Sequence, residues 1–356
     1  SLNNLYMKSP SVSYYTAVGS SRTVTAGSTN GLYSFYAKDN AGNQSATYYV
    51  NYDNVKPTGA IKNSSGTTLS SSYTNGAFYY TATDAGGISY LQYKTPSNSS
   101  WTTYTSGTTI AASATNGTYS FRAVDKCGNI SDEKSIILDT VKPVGTLYGG
   151  TAAITNGCSS NANYIKFIAG DTVSGVKTVY IKTPKANSYA TYSNGSQYAE
   201  EGTYYFYSVD NAGNTSATYN ITLDKTPPVL TCSQTSFSST YRNTFTVSTS
   251  ETSAKMYYKT PSMTSYALVS GNSYTVSDTA GNGKYYFYAI DTVGNKSADV
   301  FVNLEVIYPE AQLIKSTTDN SICITWDGST SVGYLNGNTY TKGTWVKAEG
   351  AYTYII

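Results

Sequence analysis

Short apolar runs recur along the chain, and none keeps the 3.6-residue period of a helix. Runs such as Ala77–Asp84, Tyr90–Thr95, Thr118–Val124 and Lys134–Leu138 are rich in aromatic and β-branched residues and are separated by Asn, Gly, Ser and Pro. That pattern predicts short strands at the spacing of a two-sheet sandwich. Within Thr118–Val124 the alternation is clear enough to predict which side faces inward: Tyr119, Phe121 and Ala123. The same phase returns as Tyr204, Phe206 and Ser208, and again as Tyr285, Phe287 and Ala289.

The return reflects an internal repeat, which organises the whole sequence. An aromatic strand closed by Asp-x-x-Gly-Asn ends at Asn43, Asn129, Asn214 and Asn295, in steps of 86, 85 and 81 residues. Two other landmarks keep step with it. A Tyr-rich run ends in Lys-Ser-Pro or Lys-Thr-Pro at Pro10, Pro96, Pro184 and Pro261. An acid lies four residues before a proline at Asp53 and Pro57, Asp139 and Pro143, Asp224 and Pro228, and Glu305 and Pro309. These prolines predict complete units at 58–143, 144–228 and 229–309, flanked by a C-terminal part of a unit at 1–57 and an N-terminal part at 310–356. The partial ends lead us to expect a piece of a longer array.

The repeated strand followed by DNAGNTS (Asp210–Ser216), the next strand ending LDKTPP (Leu223–Pro228), and the YKTP turn (Tyr93–Pro96) resemble the bacterial immunoglobulin-like repeats found in tandem in Gram-positive surface proteins, adhesins and secreted glycoside hydrolases. The resemblance covers the chain from end to end. It implies an all-β fold of tandem immunoglobulin-like sandwiches in an elongated array, with Phe121, Phe206 and Phe287 standing where strand F of an immunoglobulin domain carries its cysteine. It also implies an extracellular location, secreted or attached to the cell wall, and a role as spacer or presenter. Fold alone does not fix activity.

Composition narrows the chemistry. The chain has no histidine, which excludes imidazole-based triads, imidazole metal sites and histidine pH switches. Its 23 basic and 21 acidic residues leave a charge of +2 without basic runs, so no nucleic-acid footprint is expected. No run approaches the roughly 18 apolar residues of a membrane span, so no membrane insertion is expected in this fragment. Tyrosine is the anomaly, at 38 of 356 residues.

The recurring acids are first read as turn formers. In Asp-x-x-Gly-Asn, between strands F and G, the Asp accepts backbone N–H bonds while Gly and Asn tolerate positive φ. A catalytic carboxylate would be unique to one unit, whereas these recur. The acid before each proline ends strand G, and the proline stiffens the linker to the next unit. A further acid, Asp84, Asp171 or Glu251, lies just after strand B. Immunoglobulin topology sends three acids to each junction: Asp53, Asp84 and Asp125; Asp139, Asp171 and Asp210; Asp224, Glu251 and Asp291. Such sets suit a hard cation, so a calcium-stiffened junction is one reading. Acids that cap turns independently are the other, and no metal or cofactor is assigned here. Asp132 with Glu133 and Glu200 with Glu201 are the only adjacent carboxylates worth testing for acid/base work. Neighbours on a strand point to opposite faces, so loop roles are expected and no catalytic residue is assigned.

Phasing strands C and F places Tyr6, Tyr36, Tyr180, Tyr207, Tyr257 and Tyr288 on one outer face, with Lys8, Lys182 and Lys259 beside them and Gln92 and Arg122 substituting in the second unit. This is the candidate ligand-contact face, since exposed tyrosines stack on sugar rings and serve at recognition surfaces. Cross-strand tyrosines that only stabilise a sheet would look the same. Cys127, Cys158, Cys232 and Cys323 occupy non-equivalent places, so free thiols are expected over a junctional Cys158–Cys232 disulfide. The Asn-x-Ser/Thr triplets at Asn116 and Asn214 are accounted for by composition. No consistent Lys, Asn and acid trio marks an isopeptide link.

The expectation is therefore a non-enzymatic stalk, spacer or adhesin, with a cell-surface glycan or host protein as partner. An accessory region of an extracellular polysaccharide-degrading enzyme is the alternative, and a subunit that polymerises by its incomplete ends is a third reading.

Overall fold

The computed structural model describes residues 1–25, 27–234 and 237–306, and beyond them 311–316, 321–326, 333–335, 338–340, 345–346 and 354–355. Among these residues every regular element is a strand. No helix is long and apolar enough to cross a membrane. The chain forms two compact units, Ser1–Leu223 and Asp224–Ile356.

In the first unit the second repeat pairs strand A (Thr58–Asn63) antiparallel with strand B (Phe78–Thr83). The facing sheet runs A′ (Tyr73–Thr74), G (Lys134–Leu138), F (Gly117–Asp125), C (Ile88–Thr95), C′ (Asn98–Tyr104), with A′ parallel to G. The third repeat copies the plan. A (Val144–Gly149), B (Ile165–Gly170) and E (Gln197–Tyr198) form one sheet, with Ala152–Ile154 added beside A. A′ (Ser159–Ser160), G (Tyr219–Leu223), F (Gly202–Asp210), C (Val176–Lys182) and C′ (Ala190–Tyr192) form the other. This is the immunoglobulin-like arrangement of two sheets with G, F and C in one of them.

The second unit holds one such sandwich, with A (Leu230–Cys232), B (Phe245–Thr249) and E (Ser273–Val276) facing A′ (Thr240–Tyr241), G (Val300–Leu304), F (Gly283–Ile290), C (Lys255–Lys259) and C′ (Ala267–Leu268). Short strands come after it, including the antiparallel pair Ala311–Lys315 and Ile322–Trp326. Pro309 lies outside the described residues.

The cores explain the repeated sequence. Tyr119, Phe121 and Ala123, with their counterparts in the next two repeats, are all buried, as their alternation predicts. At the position of the immunoglobulin cysteine, Phe121 stacks on Tyr80 of strand B (5.1 Å, 16°) and Phe206 stacks on Phe167 (5.0 Å, 17°). Aromatic stacking across the sheets stands in place of the disulfide that this position carries in antibody domains.

Two residues earlier, the hydroxyls of Tyr33, Tyr119, Tyr204 and Tyr285 each donate to the carbonyl four residues upstream, at Thr29, Thr115, Glu200 and Gly281. This tyrosine corner lets a large ring enter the core without an unpaired hydroxyl. The Lys-x-Pro landmark has a partner too. Each proline lies on the glycine that opens strand F, at φ +134°, +131°, +125° and +131°, where an added Cβ would sit within 3 Å of Pro10, Pro96, Pro184 or Pro261. Two landmarks separated along the chain are therefore one contact.

Residues 1–57 form a single sheet, C′ (Thr16–Ala17), C (Leu2–Lys8), F (Gly31–Asp39), G (Tyr48–Tyr52), with no A–B–E sheet over it among the described residues. Its strand G shows the consequence. Val50 is 51% exposed, while Ile136 at the same register in the second repeat is 1% exposed.

Candidate functional site

The F–G turn is the most regular structure in the chain. Asp125 Oδ1 accepts the N–H groups of Cys127 (2.8 Å) and Asn129 (2.9 Å), and its Oδ2 accepts Asn129 Nδ2 (2.7 Å). Asp39, Asp210 and Asp291 close their turns in the same way. The glycine takes positive φ, between +86° and +97°, as expected. The asparagine does not, which corrects its predicted role: among the described non-glycine residues only Ser238 has positive φ. A serine two residues on completes the motif. Ser45, Ser131, Ser216 and Ser297 each accept from a strand F N–H at 2.9 Å.

The asparagine's second amide hydrogen reaches outside its turn. Asn129 Nδ2 donates to Asp53 O (2.9 Å) and Asn214 Nδ2 to Asp139 O (2.9 Å), the carbonyls of the acids that end the preceding repeat. In the second unit Asn295 makes the same bond to Asp224 O. Asp-x-x-Gly-Asn is thus a turn and a junction clamp in one motif.

The acids converge as expected at two of the three places. One carboxylate oxygen from each of Asp53, Asp84 and Asp125 lies within 4.8 Å of the others, and the same holds for Asp139, Asp171 and Asp210. The third set does not close to that distance among the described residues, which corrects the prediction for Asp224, Glu251 and Asp291. Glu251 responds electrostatically instead: burial, then the charges of Asp291 and Asp224, push its carboxyl above the ordinary range. Asp125 and Asp291 go the other way. Burial raises each, but the side-chain bond from Asn129 or Asn295 together with the turn's N–H groups outweighs it and holds them low. Cys127, an exposed residue beside the first set, has its thiol pushed up by desolvation and by the charges of Asp125, Asp53 and Asp84.

The outer C–F face gathers the predicted tyrosines in pairs. Tyr6 stacks on Tyr36 (5.0 Å, 10°), Tyr180 on Tyr207 (4.7 Å, 15°) and Tyr257 on Tyr288 (4.8 Å, 14°). All six are half-buried, each covering part of its neighbour. A third ring that the strand phasing missed meets each pair edge-on: Tyr15, Tyr189 and Tyr266, at 4.7–4.8 Å from Tyr36, Tyr207 and Tyr288. Its signal was available, since each lies five residues after the Lys-x-Pro proline. In the second repeat that position is Trp101, and the set becomes Gln92, Arg122 and Trp101. Arg122 Nε donates to Gln92 Oε1 (2.8 Å) and its guanidinium lies 4.3 Å from the Trp101 ring centre, with Lys94 Nζ at 4.4 Å. Elsewhere Lys38 sits over Tyr6 and Tyr36, and Lys296 over Tyr288.

The remaining candidates have structural employment. All four cysteines are free. Asn116 Oδ1 accepts Thr140 N (3.1 Å), which ties this triplet side chain to the segment after strand G, while that of Asn214 is engaged in its F–G turn. Glu200 pairs with Lys185, and its carbonyl receives the Tyr204 hydroxyl; Asp132 pairs with Lys56.

No family model matches the sequence and no curated protein matches it. Solved structures of tandem-domain proteins do align with it. The FN1–FN3 domains of chicken CNTN1 are 13% identical over 65% of this chain and 95% of that one, with a TM-score of 0.26. The fibronectin(III)-like modules of Clostridium thermocellum CbhA are 14% identical over 46% and 92% (TM-score 0.24), and immunoglobulin domains 1–5 of Sidekick-1 are 12% identical over 86% and 74% (TM-score 0.29). At such scores these likenesses carry no functional argument. The strand order, the tyrosine corners and the paired sheets carry the conclusion: the chain is an all-β tandem of immunoglobulin-like sandwiches.

Proposed function

We propose that the chain is a non-catalytic, extracellular segment of a bacterial surface or secreted protein that spaces and presents whatever it is joined to. The observation that carries this reading is the asparagine clamp. The same amide that closes the F–G turn in the second and third repeats also holds the terminal acid of the preceding repeat, so this motif is spent on fixing one sandwich to the next. A group kept for catalysis would stand in one repeat. Here the prominent polar groups recur at equivalent places with equivalent structural partners.

Asn129→Ala with Asn214→Ala tests it in the whole chain. The double variant should keep its folded sandwiches and lose order between them, read as a broadened distance distribution in small-angle scattering. An unchanged distribution would count against the spacer reading.

A second reading is favoured by the outer aromatic face, where Tyr189 remains 39% exposed beside the stacked Tyr180 and Tyr207. Recurring aromatic clusters flanked by lysine suit contact with a cell-surface glycan or a host protein, as in an adhesin or an accessory region of a polysaccharide-degrading enzyme. Retention on immobilised polysaccharide that is lost in Tyr180→Ala with Tyr207→Ala would support it. Retention that survives would remove it.

A further inference from the structure

We propose that Asp139, Asp171 and Asp210 form a calcium-binding site at the junction of the second and third repeats. The site gathers one acid from the end of strand G of one sandwich, one from the B–C loop of the next and one from its F–G turn. Asp139 and Asp210 are fully buried, and an oxygen from each of the three lies within 4.8 Å of the others. Among the described residues none of the three takes part in an ion pair. Several negative charges held this close in the interior repel one another strongly unless something positive lies between them.

Existing hydrogen bonds do not complete the site. Asp139 accepts Val141 N (2.9 Å) and Ser174 N (3.0 Å) on its two oxygens. Asp210 accepts Gly213 N, Asn214 N and Asn214 Nδ2. Asp171 accepts three N–H groups, from Val173, Ser174 and Gly175, all on Oδ1. Its Oδ2 is inaccessible to solvent and has no partner. The hydroxyl of Ser174, a residue 6% exposed, is buried and unpartnered as well, although the N–H of the same residue bonds two of the three carboxylates. A buried carboxylate oxygen without a donor costs several kcal/mol if nothing offsets it, on the order of what one charge-assisted bond or a cation supplies.

The donor set selects the ion. Every available ligand is oxygen, and the chain has no histidine. Calcium binds carboxylate, hydroxyl and carbonyl oxygens at about 2.3–2.6 Å, so two ligands on opposite sides of it stand about 4.6–5.2 Å apart. Three oxygens that all lie within 4.8 Å of one another can therefore share one such ion. Magnesium, at about 2.0–2.1 Å with strict octahedral geometry, gives up its waters reluctantly and is held by one or two carboxylates, so a set of three favours calcium. The Asp53, Asp84 and Asp125 set repeats the placement, but two of its acids are half-buried, against Asp171 alone in the other set, and none of its oxygens is both buried and unpartnered.

The test is calorimetric titration of the whole chain with calcium chloride after chelator treatment, with magnesium chloride in parallel. The expected result is a calcium isotherm that Asp171→Asn weakens at least tenfold, with Asp84→Asn leaving that isotherm in place and magnesium binding far more weakly. Asp171→Asn keeps an oxygen for the three N–H groups, and an unchanged far-ultraviolet spectrum verifies its fold. Hydrogen exchange around residues 139–143 and 171–175 should slow on adding calcium in the parent chain alone. No calcium isotherm at millimolar concentration, or one indifferent to Asp171→Asn, would overturn the proposal. So would a site lost in Asp84→Asn instead.

Discussion

The two faces of the C–F sheet in the third sandwich are both lined with aromatic rings, yet they do different work. On the inner face Tyr204 and Phe206 are completely buried, Phe206 against Phe167 and Tyr192 and Tyr204 against Tyr198. On the outer face Tyr180, Tyr207 and Tyr189 make a cluster of similar ring distances while remaining in contact with solvent. The chemistry of the side chains is nearly the same; the second sheet is what differs. A ring covered by that sheet gives up all its apolar area to the core, whereas a ring on the outer face gives up only what its neighbours hide.

Phe206→Ala breaks the comparison hardest. It removes the ring that bridges the sheets, and the opening free energy read from hydrogen exchange in Gly202–Asp210 and Tyr219–Leu223 should fall by about 3–5 kcal/mol. A fall of the size expected for an outer tyrosine would mean that the two sheets are not packed through this ring.

Alkaline titration sharpens the contrast within one residue type. Burial, followed by the charge of Glu200, raises the Tyr204 phenol above its ordinary value. Tyr207 is raised by its lesser burial and then by Tyr180 and Tyr189. A folded value above the unfolded one means that stability is intact below the unfolded value of about 10 and is lost as pH rises through the folded value. The third sandwich should therefore loosen in alkali, and Tyr204→Phe should remove part of that pH dependence at a cost of about 1 kcal/mol near neutrality for the lost corner bond. Alkaline unfolding monitored by circular dichroism reads both. An unaltered pH profile in the variant would argue against the buried corner.

The smallest effect is on the outer face. A double-mutant cycle on Tyr180→Ala and Tyr207→Ala should return a coupling of about 0.5–1.5 kcal/mol for the stacked pair. Zero coupling would leave the pair free for another partner and strengthen the recognition reading.

Much of the fold and part of the site are legible in the residues alone. The in-and-out phase of strand F, the strand positions and the turn-capping Asp come from alternation and turn chemistry, which are local. Topology then sends the B–C and F–G acids to shared junctions. The features that escape a reading of the sequence depend on contacts between segments. Asn129 looks like a residue tolerating positive φ because its turn is local, while its bond to Asp53 O spans 76 residues. Pro96 and Gly117 read as separate punctuation, although they touch. Tyr189 is easily passed over because the C′ strand beside it is only three residues long and carries little periodicity. The Glu251 set falls short of the distance reached by the other two.

The sequence by itself determined the repeat, the all-β class and the alternation that sorts tyrosines between two faces, because a strand's period of two is written in consecutive residues. Only the tertiary structure decided which tyrosines stack, which prolines meet which glycines, and which acids are left with an unpartnered oxygen. Those outcomes depend on how sheets pack and on which backbone N–H groups reach a carboxylate, and both are set by residues far apart in the chain.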